Sequence, residues 1–313
     1  MTEPTFLVTG AYGCIGAWVV TELHSDGRQV ATFDLSTDAR RLRLLVDADA
    51  VAAIPHVAGD ITDLDAVAGA IDEYGITHVI HLAALQVPFC RADPPLGARV
   101  NVLGTVNVFE AAKARPQLAP VTYASSIAAF DASGTMSGHP GTIYGVYKRA
   151  NEATAHVYFE ENQISSTGLR PHTVYGVGRD QGLTSAPTTA MLAAAAGTTF
   201  AIPYSSAAQL QFARDVARAF IAASLAGKPG ATVHNLPGRR VSMQELIDAL
   251  GIPGMSFGGD RLPFPEELDS SSFAAAFPGF PETPLAEGVA ATVDRFRALL
   301  AEGLVQPPAQ GAR

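Results

Sequence analysis

Residues 5–16 read Thr5-Phe6-Leu7-Val8-Thr9-Gly10-Ala11-Tyr12-Gly13-Cys14-Ile15-Gly16. A strand-like run turns through three glycines at three-residue intervals into an amphipathic stretch, which is how a βαβ unit opens. Outward from it the same alternation continues. Gln29 to Asp34, His56 to Asp60, Thr77 to Leu82 and Val121 to Ser125 are short runs continuous enough to be buried on both faces of a parallel sheet. Ala11 to His24, Asp63 to Tyr74, Leu96 to Ala114 and Thr142 to Glu161 supply the intervening helices, the second opened by the start pattern Thr62-Asp63-Leu64-Asp65. The pattern predicts an α/β chain with a Rossmann-like, doubly wound parallel sheet.

After Arg170 the alternation loosens, with Pro171, Pro187, Pro203 and Pro237 and then a Pro/Gly/Phe-rich tract from Ile252 to Pro284. Phe212 to Leu225, Ser242 to Leu250 and Leu285 to Leu300 read as helices, and Gln306 to Arg313 as a frayed tail. The division expected is a nucleotide-binding domain over residues 1–168, with returning segments near 205–236, and a smaller, mainly substrate-binding domain over 169–313. No internal repeat is visible. With 313 residues, 48% of them hydrophobic, the chain can bury a substantial core.

Lys plus Arg number 21 against 30 Asp plus Glu, and the net charge of −9 leaves no electrostatic footprint for nucleic acid or anionic lipid. A small-molecule partner is expected instead. Cys14 and Cys90 are the only cysteines and lack metal-ligand spacing, so neither a disulfide framework nor a metal site is expected. Met1-Thr2-Glu3-Pro4 carries no basic leader and no apolar stretch reaches the ~18 residues of a membrane span. A soluble, unprocessed, cytoplasmic protein is the expectation.

The glycines have a chemical reason. The first makes the tight turn, the second admits a pyrophosphate close to the backbone, the third lets helix and strand pack, and the helix N-terminus adds partial positive charge. Asp34 follows at about the ~20-residue spacing at which an acid accepts the adenosine ribose hydroxyls. A carboxylate there repels a 2′-phosphate, so NAD is expected over NADP, although Arg40 and Arg41 leave NADP open.

Tyr144 and Lys148 lie four apart in a predicted helix, on one face. A tyrosine with a pKa near ~10 is drawn toward the phenolate by a neighbouring ammonium and then takes a hydroxyl proton. Ser125-Ser126 ends the fifth strand, where doubly wound sheets place ligands, and a serine hydroxyl there can hydrogen-bond a reacting oxygen. Tyr147 is the other candidate base, but it points ~100° around the helix from Lys148 and has no lysine four residues later.

With these segments in order, the chain resembles the extended short-chain dehydrogenase/reductase superfamily, the NAD-dependent epimerases, dehydratases and sugar dehydrogenases. The likeness is carried by residues 9–16, Gly59-Asp60-Ile61, His81-Leu82-Ala83-Ala84, Asn101 to Thr105, Ser125-Ser126, Tyr144 to Lys148, Leu169-Arg170-Pro171, Val174-Tyr175-Gly176 and Arg214 to Ala217. It implies a cofactor cleft formed by Gly10, Tyr12, Gly13, Cys14, Ile15, Gly16, Asp34, Leu82, Ala83, Ala84, Lys148 and Pro171. It also implies that Asp60 and Ile61 hold the adenine and that Asn101 sits by the nicotinamide ribose. By residue chemistry alone, Asp60 is equally a helix cap and Asn101 equally a partner for a buried backbone group. The catalytic hydroxyl it implies is Ser126. A homodimer through the helices at Leu96 to Ala114 and Thr142 to Glu161 is implied as well.

Departures from the family pattern bear on substrate. Ile127 and Ala128 stand where dehydratases carry acids, which disfavours a sugar 4,6-dehydratase. Thr173, beside His172, replaces an Asn common among nucleotide-sugar members, and Ala208 replaces an arginine that grips the substrate diphosphate. Arg179, Arg214, Arg239 or Arg261 are possible substitutes. The glycine-rich tract Gly176 to Ser185 suits a polyol, sugar or sugar acid, with Arg179 able to hold a carboxylate. Ser125, His172, Thr173 and Arg179 are the substrate candidates, and His139 is expected near the same site. The expected activity is NAD-dependent oxidation of a secondary hydroxyl on a sugar-like substrate, with epimerisation through transient oxidation as the alternative and a non-catalytic NAD-binding sensor as a third reading.

Overall fold

A computed structural model describes residues 3–308. Met1, Thr2 and residues 309–313, most of the tail read from the sequence, lie outside the described residues. The twelve strands in chain order are β1 (Thr5–Thr9), β2 (Gln29–Asp34), β3 (His56–Ala58), β4 (His78–His81), β5 (Val121–Ala124), β6 (Ser166–Arg170), β7 (Thr173–Tyr175), β8 (Ala201–Ile202), β9 (Ala208–Phe212), β10 (Ala231–Asn235), β11 (Arg239–Val241) and β12 (Ser256–Phe257). Seven of them form one sheet in the order β10-β6-β5-β4-β1-β2-β3, every pair parallel. The order reverses between β1 and β4, so the C-terminal ends of those strands flank the crevice in which such sheets bind ligands. The α/β, doubly wound class read from the sequence is the architecture of the chain.

Burial on both faces explains the strand composition. Phe6, Leu7 and Val8 of β1 are fully buried and point alternately into two cores. One core holds Val19, Val20 and Leu23 of helix Cys14–Ser25 and Phe220 of helix Ala213–Ala226. The other holds Val67 and Ile71 of helix Leu64–Glu73, Val108 and Phe109 of helix Gly104–Lys113 and Ala155 of helix Ile143–Asn162.

The segment predicted as one helix from Leu96 to Ala114 is continuous but uneven: α over Pro94–Ala98, a π turn over Arg99–Leu103, then α again from Gly104. Gly104 has no room for a Cβ, which would fall 2.8 Å from Ile61 Cγ2. That close seat brings the helix down onto the loop after β3.

The second half is built around a three-stranded sheet, β11-β9-β7, and the paired strands β12 and β8. It has its own core, in which helix Ala186–Ala195 packs with Phe296 and Leu299 of helix Leu285–Ala301. Helix Ala186–Ala195 has no counterpart in the sequence reading because Ala and Thr dominate all its faces and Pro187 reads as a breaker. That proline occupies the first turn, where its missing N–H is no loss. Trp18 joins the halves: its ring meets Phe212 edge-on at 5.6 Å and its Nε1 donates to Val177 O at 2.9 Å.

Phe220 is fully buried where the helix on one sheet face meets the strands. Phe220→Ala is expected to lower the unfolding free energy by about 3–5 kcal/mol, measured as a fall in the urea midpoint with unchanged slope.

Candidate active site

β1 ends on Gly10, whose φ of +66° lies in the left-handed region and whose missing Cβ would sit 2.6 Å from Ala83 N. The turn therefore presses directly on the loop after β4. Gly16 is equally confined, its ideal Cβ falling 2.2 Å from Gly10 O, whereas at Gly13 the nearest atom is 3.1 Å away. Gly13 caps helix Cys14–Ser25 with no side-chain partner and with no acid in the first turn. The helix N-terminus is thus open and positive, as a pyrophosphate site requires.

Asp34 closes β2 beside this turn. Its carboxylate accepts the Tyr12 N–H at 2.9 Å and the Ser36 N–H at 3.0 Å. Tyr12 stacks on His56 with ring centroids 4.7 Å apart. Asp34, Asp60, Ile61, Leu82, Ala83 and Ala84 all border a cleft of about 660 Å³. A dinucleotide fits there: glycine cradle, free helix amides and a strand-end carboxylate are together in one crevice. Arg41 donates to Asp180 at 2.7 and 3.0 Å and to Tyr12 O at 3.1 Å, so its charge is already engaged beside Asp34.

Asp60 is exposed and accepts the Thr62 N–H at 2.8 Å. Ile61 is buried with its carbonyl taken by Asn107 Nδ2 at 3.0 Å. Asn101 is fully enclosed: its Oδ1 accepts the Leu85 N–H at 2.7 Å and its Nδ2 donates to Leu85 O at 2.9 Å. Both polar ends of Asn101 thus satisfy the buried backbone of the β4 loop.

Helix Ile143–Asn162 carries Tyr144 and Lys148 against the ends of β5 and β6. Thr142 caps it by accepting the Gly145 N–H at 3.1 Å. Gly145 permits the approach, since a Cβ there would lie 2.0 Å from Ala128 O. Lys148 is buried, donates from Nζ to Ala124 O at 2.7 Å and lies 5.6 Å from the Tyr144 ring centroid. Tyr147 points elsewhere and donates to Pro94 O at 2.8 Å. Ser126 is half-buried at the cleft, its Oγ accepting the Ala128 N–H at 3.1 Å. Ser125 is buried and donates its hydroxyl to Glu152. Of the two serines, Ser126 has the hydroxyl hydrogen left to give.

The expectation that Lys148 draws Tyr144 toward the phenolate needs correction. Burial pushes the Tyr144 phenol up to about 12, and the opposing pulls of the Ser126 hydroxyl and the Arg179 charge do not offset it. Lys148 is itself lowered to about 8 by burial, against the raising influence of Cys90 and Glu152. Desolvation is the largest influence at both positions, with Lys148 buried and Tyr144 half-buried at the cavity wall.

Glu152, four residues after Lys148, was not singled out in the sequence. It is buried, pairs with Arg170 at 2.6 and 2.7 Å and holds Ser125, while Arg170 reaches Asn235 Oδ1 at 3.2 Å and lies over the Phe130 ring at 4.7 Å. The network ties the ends of β5, β6 and β10 to the Tyr144 helix. Its available signal was spacing, since Tyr144, Lys148 and Glu152 share one helix face.

The catalytic side of the crevice is a cavity of about 190 Å³ bordered by Ser126, Tyr144, Lys148, Pro171, His172, Arg179 and Phe264, among others. His172 is held by Thr173 at 3.2 Å and Pro265 O at 2.9 Å, and burial lowers it to about 4. Thr173 itself is buried in β7 and does not border the cavity. His139 is exposed and also lies apart from it.

A model of the NAD dependent epimerase/dehydratase family matches residues 6–235. The chain belongs to that family. The chain is therefore an NAD-dependent enzyme of the epimerase/dehydratase type. The UDP-glucose 4-epimerase of Mycolicibacterium smegmatis is 30% identical over 311 residues, covering 93% of this chain and 98% of that one. UDP-glucuronate 4-epimerase 2 of Arabidopsis thaliana is 33% identical, with coverage of 54% and 42%. Among solved structures, UDP-glucose 4-epimerase of Thermus thermophilus in complex with NAD superposes with a TM-score of 0.78 at 24% identity, covering 94% of this chain and 99% of that one. L-threonine dehydrogenase of Clostridium difficile reaches 0.80 at 19% identity, covering 97% and 100%. These last two likenesses are likenesses of fold.

Below the family's glycine turn lies a buried histidine. His81 of β4 is 4% exposed, bonded to Thr9 Oγ1 at 2.7 Å and Thr105 Oγ1 at 3.2 Å, and lowered to about 3 by burial and then by the Lys148 charge. Above pH ~6.5 the ring is neutral in both folded and unfolded chains. As pH falls below that, the unfolded chain takes up a proton that the native chain refuses until about pH 3. His81 therefore contributes a loss of up to ~1.4 kcal/mol per pH unit in that window. Urea unfolding at pH 7.5 and 5.5 should show a smaller pH-dependent loss in His81→Asn than in the wild type; equal losses would place the effect elsewhere.

Proposed function

We propose that the enzyme oxidises a secondary hydroxyl on a sugar-like substrate, with Tyr144, Ser126 and Lys148 as its catalytic residues. The observation that carries this is the convergence of the three on the cavity beside the dinucleotide crevice. Bound NAD supplies a hydride acceptor: the substrate C–H bond breaks with both electrons leaving, and a carbonyl forms. Tyr144 Oη takes the hydroxyl proton, and the Ser126 hydroxyl donates to the same substrate oxygen. Lys148 supplies positive charge beside the phenol and a donor for the nicotinamide ribose. Because Tyr144 rests as a phenol, it must first release its own proton to solvent before Oη accepts that of the substrate, so the rate of NADH appearance should increase as pH rises from 6 to 8.

Cofactor-binding roles are assigned to Gly10, Tyr12, Gly13, Cys14, Ile15 and Gly16 at the pyrophosphate and to Asp34 at the adenosine ribose. Asp60 and Ile61 are placed at the adenine, and Leu82, Ala83, Ala84 and Pro171 along the cleft wall. Asn101 is assigned a positioning role for the β4 loop, supported by its two bonds to Leu85. Residues 1–168 with the returning segments near 205–236 form the cofactor half, and the remainder mainly shapes the substrate side. The named relatives favour epimerisation as a second reading, in which hydride returns to the opposite face. Net dehydrogenation is preferred because Ala208, buried in β9, offers no grip for a diphosphate.

A homodimer through the helices at residues 94–113 and 143–162 is part of the proposal, supported by the exposed Leu96, Leu103, Val146 and Val157. Two free cysteines suit a cytoplasmic setting.

Tyr144→Phe should cut turnover by about 10²–10⁴-fold while NAD affinity, read by calorimetry, stays within threefold. Tyr147→Phe should retain near-normal turnover, and the reverse ranking overturns the assignment. For the assembly, Val157→Glu should convert a dimer to a monomer in sedimentation velocity without changing the circular dichroism spectrum.

A further inference from the structure

Each arginine named as a substitute for the diphosphate grip has a defined place in the structure. Arg214 pairs with Glu22 at 2.9 Å, Arg239 with Glu245 at 3.1 Å, and Arg261 with Glu266. Arg179 alone of the four borders the catalytic cavity. Its Nη2 donates to Thr184 Oγ1 at 3.0 Å, and its Nε is buried with no partner among the described residues. Asp180, next in sequence, is turned away and spent on Arg41 and Arg40. Among the described residues no Asp or Glu borders the cavity. Arg179 is half-buried, and a buried guanidinium nitrogen left without a partner is costly unless a ligand completes it.

The catalytic cavity opens onto the adjoining cleft, with which it shares Gly10, Gly13, Leu82, Ala84 and Gln86. The far wall is closed by the segment around Phe264 to Leu268. His172 bonds Pro265 O, Gln209 Oε1 accepts the Leu268 N–H at 3.0 Å and its Nε2 donates to Leu268 O at 3.0 Å, and Leu268 packs with Ile127 and Phe130. Gln86 Oε1 is a second buried polar atom at this cavity without a partner among the described residues. It is an acceptor suited to a substrate hydroxyl.

We infer that the substrate is a free hydroxy acid whose carboxylate pairs with Arg179, with a hydroxyl on Gln86, rather than a sugar carried on a nucleotide, for whose diphosphate Ala208 offers no grip. This rests on the alcohol-oxidising reading of Tyr144. The Arg179 fork would accept the carboxylate through two parallel N–H donors. The secondary hydroxyl gives its proton to Tyr144 while the carbon that bears it loses its hydrogen as hydride to NAD, leaving a keto acid and NADH.

The test uses NAD-loaded enzyme and three acid/neutral pairs: glycerate and glycerol, gluconate and glucitol, galacturonate and galactose, with UDP-glucose and UDP-glucuronate alongside. Calorimetric binding and NADH appearance are followed in wild type, Arg179→Met and Arg179→Lys. At least one acid is expected to bind more tightly than its neutral partner and than either UDP-sugar. Arg179→Met should weaken that acid at least 30-fold, with Arg179→Lys in between and NAD affinity within threefold of wild type. Arg179→Lys keeps the cation and guards against misreading a folding defect. Tighter binding of a UDP-sugar, no Arg179-dependent acid binding, or a loss of NAD affinity as large as the loss of acid affinity overturns the inference. NADH formed from neutral sugars or UDP-sugars, but not from acids, overturns it while leaving the Tyr144 chemistry standing.

Discussion

Two strand ends meet at the centre of this enzyme, and the distance between them governs the rest. Gly10, at the end of β1, lies so near Ala83, after β4, that no side chain can stand between them. These are the adjacent strands at which the sheet order reverses. The chain leaving β1 must turn at once into a helix, and the loop leaving β4 must pass over that turn. Both consequences are chemical. The helix arrives with its first amides uncapped, and the β4 loop becomes the shared wall of the adenosine cleft and the catalytic cavity. Buried pins then hold the arrangement: Asn101 on the Leu85 backbone, His81 between Thr9 and Thr105.

Charges under this roof are sorted by whether they find partners. Glu152 is buried and Arg170 largely so, yet Ser125, Asn235 and the Phe130 face complete them, so the pair serves as a brace between strands and helix. Lys148 has one carbonyl for its amine and is pulled toward neutrality. Arg179 has a threonine and nothing anionic among the described residues. Desolvation acts on all of them with the same sign, so the group left least satisfied is where a ligand gains most. This separates a structural ion pair from a binding residue more sharply than residue type does.

Much of this was legible in the chain itself. The alternation of buried strands with amphipathic helices depends on neighbours two to four residues apart, and β1 and β2 fall where the sequence places them. Tyr144 could be preferred to Tyr147 from helical geometry alone, and Tyr147 indeed faces Pro94. In the sequence, the preference for Ser126 over Ser125 rests on family resemblance alone. The bond that occupies Ser125 comes from Glu152, which is adjacent to it only after helix and strand have packed. Helix Ala186–Ala195 and the small sheets were illegible for a related reason: elements enclosed on all sides, or only two or three residues long, carry no periodic contrast.

The sequence by itself determined the sheet, the glycine turn, the family and the placing of Tyr144 and Lys148 on one helix face, because each is written in spacings shorter than a helix or a strand. Tertiary structure decided the protonation balance at Tyr144, the loss of Thr173 and His139 from the cavity wall, and the placing of Arg179 on a cavity that no carboxylate among the described residues borders. Those outcomes depend on which distant segments shut out water, and water exclusion belongs to the packed molecule and to no single stretch of chain.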